Sequence, residues 1–535
     1  MINHILEKTF SFFLNKKTEE RICYFSLCLI IAIFSFFILF RANWIIGDDF
    51  ETLQTTAIGI TEHIGRHIGQ EKVSNGRFYP LGHYDLNLLA FIPGAQSPLA
   101  HYIYICLQFI LLIFLFWKTS GELKILGNKN MLSFSKENND SKANLYLKTL
   151  ALVILVCSSG FSWVFLDINY PERFLLILLT AFAFFLIKGI KTQKTSCFII
   201  SGIIAAYATY MKETVIGALT VIAIANLFFN KELTKKEKYF HFFLLINTLC
   251  FLIFYYFLAF RNHTSIYGIR NESSLYAISA VLMAEKTNII IIAFAIFRLW
   301  KAILRNERKY LFTDSLLFGS AAYIISFAIL KLYAPYYFIP ALLLALPAII
   351  LTIYQINKPI IKISGFALLL LLSVLNIPSC FDNFSMSYVE RTTHMPLIRT
   401  IAEHKENGGK LFWHIPQDIS NNPINSTIAG QRHIYNVFID FVNRKKDNSI
   451  LPGRNENFEI FSSENELNLN GNDVVMIPLF ASENGLPNPM PEQITKKIKH
   501  AGFNLITSNL LYVKIYMRKG SYIEKNWLLS HSGKI

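Results

Sequence analysis

The sequence predicts a mostly α polytopic membrane protein of about 11 transmembrane helices, followed by a C-terminal domain of α/β or α+β class. Three observations carry this. Of the 535 residues, 53% are hydrophobic and 16% are charged, and the mean hydropathy is +0.38. A soluble chain this apolar has too little polar surface to cover itself. Apolar runs recur up to residue 378, each close to the roughly 20 residues that one bilayer crossing needs. From Asp382 the composition turns polar, with the turn signals "ENGGK", "NNPINST" and "LPNPMPE". The chain therefore divides into a membrane domain, 1–380, and a soluble domain, 381–535.

The expected spans lie at 22–40, 101–117, 149–166, 174–190, 197–211, 214–229, 241–260, 287–304, 311–331, 336–354 and 363–378. The first follows a basic flank in "KKTEERICYFSLCLIIAIFSFFILF" and lacks a small-residue cleavage site, so it reads as an uncleaved helix. The fifth and sixth are short and form a hairpin around "YMKET". Between the first two spans, 41–100 is too hydrophilic to cross. Its stretch "ETLQTTAIGITEHIGRHIGQ" has mixed helical spacing, which suits surface-lying helices. In the last part, "GKLFWHIP", "NDVVMIPL" and "NLLYVKIYMRK" read as strands and "PEQITKKIKHAG" as a helix. No internal repeat stands out.

Charge sets the orientation. The formal net charge is +15, and the lysines and arginines cluster in alternate loops, as at Lys16, Lys17 and Arg21, Lys188 to Lys194, Lys231 to Lys238, and Arg298 to Lys309. All of these fall on one side, which the positive-inside rule makes cytoplasmic. A nucleic-acid partner would need one basic face, and this pattern has none. The opposite, periplasmic side then holds 41–100, "DINYPER", the Lys212–Glu213 turn, 261–285, "KLYAPYY" and the C-terminal domain. The protein is expected to be multi-pass in its membrane. Six of the seven cysteines lie in apolar runs and Cys380 lies outside them, with no CxxC or CxxH spacing. A thiolate zinc site and a disulfide-held domain are therefore not expected.

Three outer segments carry ionisable groups at or beside membrane depth. The first holds Asp48, Asp49 and Glu51 in "NWIIGDDFETLQ", then Arg77, His83 and Asp85; the second holds Asp167, Glu172 and Arg173; the third holds Lys212 and Glu213. Charges beside hydrocarbon are costly, so a recurring set of them points to a shared polar cavity. Carboxylates can deprotonate a hydroxyl or hold a divalent metal, and Arg or Lys can hold a phosphate as it leaves. The combination suits sugar transfer from a lipid phosphate to an acceptor hydroxyl. Tyr333, Tyr336 and Tyr337, on the same outer side, are candidate stacking faces for a sugar, although interfacial tyrosines are common.

In order and topology these motifs resemble the GT-C superfamily of integral membrane glycosyltransferases. The features are an acidic pair after the first span, a "GR" before the second, an acidic turn after the third and a Y-x-K-E turn after the fifth. The "DD…NGR" arrangement is similar to the bacterial O-antigen glucosyltransferase type, and the layout also resembles the protein mannosyltransferase and aminoarabinose transferase branch. The resemblance covers residues 20–380. It implies a polyprenyl-phosphate sugar donor, a periplasmic glycan, lipid or protein acceptor, and inversion at the anomeric carbon. Asp48 or Asp49 would be the catalytic base. Arg77 and Lys212 would hold the lipid phosphate. Asp167, Glu172, Glu213, His83, Asp85 and Tyr337 would shape the sugar or acceptor pocket. The "DINYPE" motif is not a tight acid-x-acid pair, which leaves the need for Mg or Mn open. The rival readings are a polysaccharide polymerase or ligase, a lipid-linked glycan flippase or transporter, and a non-enzymatic scaffold.

Overall fold

The structure is a computed structural model. It describes residues 18–40, 78–82, 84–87, 89, 98–127, 137–166, 170–262, 273–304, 311–354, 356, 358–389, 409–414, 458–461, 463–478, 492–509, 513–522 and 524–525. The chain forms two compact units, a helical one that runs to Phe384 and a smaller one that takes up the chain from Ser385, within the last turns of the long helix Pro359–Val389.

The helical unit contains α1 (Thr18–Phe40), a one-turn α2 (Tyr84–Asn87), α3 (Pro98–Gly127), α4 (Glu137–Val156), α5 (Ser159–Leu166), α6 (Glu172–Thr192), α7 (Thr195–Met211), α8 (Val215–Phe229) and α9 (Lys235–Leu258). It continues through α10 (Ser274–Ala284), α11 (Thr287–Leu304), α12 (Leu311–Leu330), a 3-10 turn (Pro335–Phe338), α13 (Ile339–Tyr354) and α14 (Pro359–Val389). Among the described residues, eight helices are long and apolar enough to cross a membrane. A ninth crossing results if Leu145–Val156 and Ser159–Leu166, bent by 68°, form one broken span. The protein is thus a mostly helical, polytopic membrane protein. Helices α7 and α8 correspond to the short fifth and sixth runs. Helix α10 was not expected: its 11 residues fall well short of a membrane crossing, so span length alone does not register it.

Local chemistry fixes the ends of these helices. Thr234 and Glu237 form a reciprocal capping box that starts α9. Gln193 closes α6 in the left-handed region, at φ 53°. At its centre the bundle is tight. Gly319 of α12 faces α8 so closely that a Cβ there would stand 2.6 Å from Ile222 Cγ1. Helix α13 is the axis of the bundle: 83% of its membrane window is buried, against 17% for α1 and for α14.

The smaller unit is a five-stranded mixed sheet in the order β2-β1-β3-β5-β4. Strands β1 (Leu411–His414), β2 (Phe458–Phe461) and β3 (Val474–Pro478) run parallel, and β4 (Phe503–Asn509) and β5 (Val513–Arg518) complete the sheet antiparallel. Helix α15 (Glu492–His500) buries Ile494 and Ile498 against Phe412, Val475, Ile477 and Tyr516. Alternate residues of β3 reach this face, as the two-residue period of a strand requires.

Candidate active site

The site lies where four elements of the helical unit meet: the N-terminus of α6, the Lys212–Thr214 turn between α7 and α8, the second half of α12, and the 3-10 turn before α13. Lys212 is held as the C-cap of α7, its amide donating to Ala208 O at 3.1 Å. Its Nζ stands 2.6 Å from Glu172 Oε1, with both side chains buried. The same ammonium lies over the Tyr337 ring, 5.1 Å from its centroid, a favourable cation–π placement. Tyr337 stacks on Phe327 at 4.7 Å, and Tyr323 meets Phe327 edge-on at 5.1 Å.

The pair is an ion pair without a well-directed hydrogen bond, because neither oxygen of Glu172 accepts one. Thr214 Oγ1 and Tyr323 Oη are buried in the same condition. The Tyr323 hydroxyl lies beside Thr214 and within electrostatic reach of Glu172, Glu213 and Tyr337. Each such buried polar group costs about 1–3 kcal/mol if nothing compensates it. Around the pair runs an aromatic wall. Tyr336 packs on Tyr337 at 4.3 Å and on Tyr170 at 4.4 Å, and Trp163 Nε1 donates to the Tyr170 hydroxyl at 2.6 Å.

A second polar node touches the first through consecutive residues. Arg173, next to Glu172, donates from Nη1 to Val164 O at 3.0 Å and from Nε to Gln108 Oε1 at 3.4 Å. Gln108 Nε2 donates to Asp85 Oδ2 at 2.9 Å, and the Tyr104 hydroxyl donates to the same oxygen at 3.4 Å. Burial pushes the Asp85 carboxyl above its usual range, and the Arg173 charge opposes that shift. Asp85 thereby anchors the end of the long first loop. Leu81 adds a second anchor, its amide donating to Tyr210 O at 3.1 Å.

A third node has no counterpart among the residues that the sequence singles out. Glu285, between α10 and α11, is fully buried. Its carboxylate accepts from Ser159 Oγ at 3.3 Å, from Thr287 Oγ1 at 2.9 Å and from Asn376 Nδ2. Ser159 opens α5, directly after the break in the bent span. Desolvation pushes the Glu285 carboxyl up, and these donors oppose the shift.

Of the residues singled out from the sequence, Lys212, Glu172, Glu213 and Tyr337 come together, and Asp85 joins through Arg173. Asp48, Asp49, Arg77, His83 and Asp167 lie outside the described residues. Tyr323 and Thr214 were missed. Tyr323 sits inside an apolar run with no local mark of a role, whereas Thr214 adjoins the Lys-Glu turn and could have been taken with it. Among the described residues no three His, Cys, Asp or Glu side chains are grouped to hold a metal ion. No family model, no curated protein and no solved structure matches this chain, so the chemistry is read from the site itself.

Proposed function

We propose that the protein is an integral membrane glycosyltransferase of GT-C type. It moves a hexosyl or pentosyl group from a polyprenyl-phosphate donor to an acceptor hydroxyl on a periplasmic glycan, lipid or protein. The observation that carries this reading is the buried Lys212–Glu172 pair, walled by tyrosines and flanked by hydroxyls short of partners. Such a place suits a phosphate beside a polyhydroxylated group. Transfer proceeds in a single inverting displacement. Asp48 or Asp49 removes the acceptor proton, the acceptor oxygen attacks the anomeric carbon, and the bond to the phosphate oxygen breaks with its electron pair left on the phosphate. Lys212, with Arg77, stabilises that leaving group. The site faces the periplasm of a bacterial inner membrane. No metal-dependent step is part of the proposal.

The test is transfer by purified protein in lipid from a polyprenyl-phosphate sugar, with a nucleotide sugar as the contrasting donor and cell-envelope extract as acceptor. Glycan analysis of a deletion strain identifies the acceptor. Either Asp48→Asn or Asp49→Asn should slow transfer by about 10²–10⁴-fold while the protein still inserts. Transfer from the nucleotide sugar alone, or near-normal rates in both variants, would overturn the assignment. A second reading, a flippase for lipid-linked glycans, is favoured by one feature, the break between α4 and α5 beside a buried carboxylate. Movement of a labelled lipid-linked sugar across vesicles, without transfer, would select it.

A further inference from the structure

We propose that Glu172 is the resident counter-ion of an anion-exchange site. A lipid-borne phosphate displaces it from Lys212, and the released carboxylate then accepts a hydroxyl of the sugar that the phosphate carries. This rests on the glycosyl-transfer reading and adds the order in which the groups change partners.

The resting arrangement is poorly satisfied. Glu172 is 1% exposed, yet neither of its oxygens accepts a directed hydrogen bond, although a carboxylate has room for several. Thr214 and Tyr323, from two other elements, turn buried hydroxyls toward each other beside it, and neither has a well-aligned partner. Buried polar groups in finished interiors are paired. Three under-satisfied side chains converging from α6, α12 and the Lys212 turn suit a guest with its own donors and acceptors.

The partners differ in how firmly they are held. The Lys212 ammonium keeps the Tyr337 face whether or not Glu172 is present, and its backbone is tied to Ala208. Glu172 loses no aligned hydrogen bond when it leaves. Arg173, at the next position, directs its guanidinium to Val164 O and Gln108. The phosphodiester of a polyprenyl-phosphate sugar brings two unesterified oxygens to an ammonium with three donors, and a pair aligned with them is stronger than one with a misaligned carboxylate. Glu172, once released, meets the Tyr323 hydroxyl and the sugar hydroxyls. The exchange thus couples phosphate capture to sugar recognition.

The test measures binding of farnesyl monophosphate to the detergent-solubilised full-length protein, with farnesol and inorganic phosphate as controls. Glu172→Gln should bind farnesyl monophosphate about tenfold more tightly than the wild type, since a competing charge is gone. Lys212→Gln should lose the binding. Glu172→Asp, which withdraws the carboxylate by one methylene, should also bind more tightly, and it serves if the Gln variant does not fold. Farnesol should bind alike to all variants. Equal or weaker binding by both Glu172 variants overturns the exchange. Inorganic phosphate binding as well as the farnesyl ester overturns the lipid source. Binding is read apart from turnover, which the transfer assay above supplies: tightened binding with no transfer refutes only the transferase reading, and transfer with unaltered binding refutes only the exchange.

Discussion

Arg298 and Asp314 form a completed buried ion pair, in contrast to Lys212 and Glu172. The guanidinium of Arg298 reaches both carboxylate oxygens, Nε to Oδ1 and Nη2 to Oδ2, each at 2.7 Å. Such a fork is self-sufficient and belongs to the scaffold. Asp314→Asn strips the charge that balances a buried guanidinium and should cost about 3–5 kcal/mol. The double change Arg298→Met with Asp314→Leu should restore most of that loss. Thermal unfolding in detergent reads both, and equal melting of the single variant and the wild type would contradict the scaffold role. His414 offers a different residue-scale test. It is buried in β1, and desolvation lowers its pKa from 6.5 to about 4. The folded state therefore favours the neutral ring. Its contribution is intact above pH 6.5 and is lost as pH falls from there towards 4. The loss is about 3 kcal/mol for the smaller unit, because each tenfold drop in proton affinity is worth about 1.4 kcal/mol. Asp473, raised by burial, opposes this near the lower edge of the window. Limited proteolysis of the full-length protein across this range should show the smaller unit becoming labile at the acid end, and His414→Phe should flatten that dependence.

Among the elements, the 3-10 turn before α13 is the piece whose placement matters most, because it carries Tyr336 and Tyr337. It is seated on α5 through Gly160, where an added Cβ would overlap the carbonyl of Pro335 and stand 2.8 Å from Ile339 Cγ1. Backbone cannot yield as a side-chain tip does. Gly160→Ala should therefore cost about 1–3 kcal/mol as an overpacking change, shift the tyrosines, and weaken both sugar transfer and farnesyl monophosphate binding. Unchanged binding in a stably inserted Gly160→Ala protein would show that the turn does not set the site. Little of this could be read from the sequence. The Lys212–Glu213 and Glu172–Arg173 turns stand out because charges beside apolar runs are conspicuous in any membrane chain. The strands Leu411–His414, Val474–Pro478 and Val513–Arg518 and the helix Glu492–His500 fall within stretches whose period and turn residues marked them. Glu285 was not legible, because its role depends on Ser159, 126 positions away, and Asn376, 91 positions away. Helix α10 was missed because an 11-residue apolar segment resembles a loop when span length is the yardstick. Nor could α13 be recognised as central: leucine and isoleucine serve equally against lipid and against protein, so the composition of a helix does not tell which it faces.

For the whole molecule, the arrangement of basic loops predicts that the C-terminus is periplasmic. An alkaline phosphatase fused there should be active and a reporter that works only in the cytoplasm should be dark; the reverse would place Lys212 and Glu172 away from periplasmic acceptors. One feature of the bundle also bears on how it is made. Helix α13 packs against α3, α4, α6, α11 and α12, yet it follows all of them in the chain. Synthesis runs from the N-terminus, so those helices enter the bilayer before the piece that fills the space between them exists. Until Tyr354 has left the ribosome, those helices lack the neighbour they share in the finished bundle. The polar side chains of Glu172, Lys212 and Tyr323 wait for it. Assembly is therefore closed late, by the arrival of a keystone. A nascent chain stalled before α13 should be open to protease and to quality control, whereas one stalled just beyond it should already be resistant.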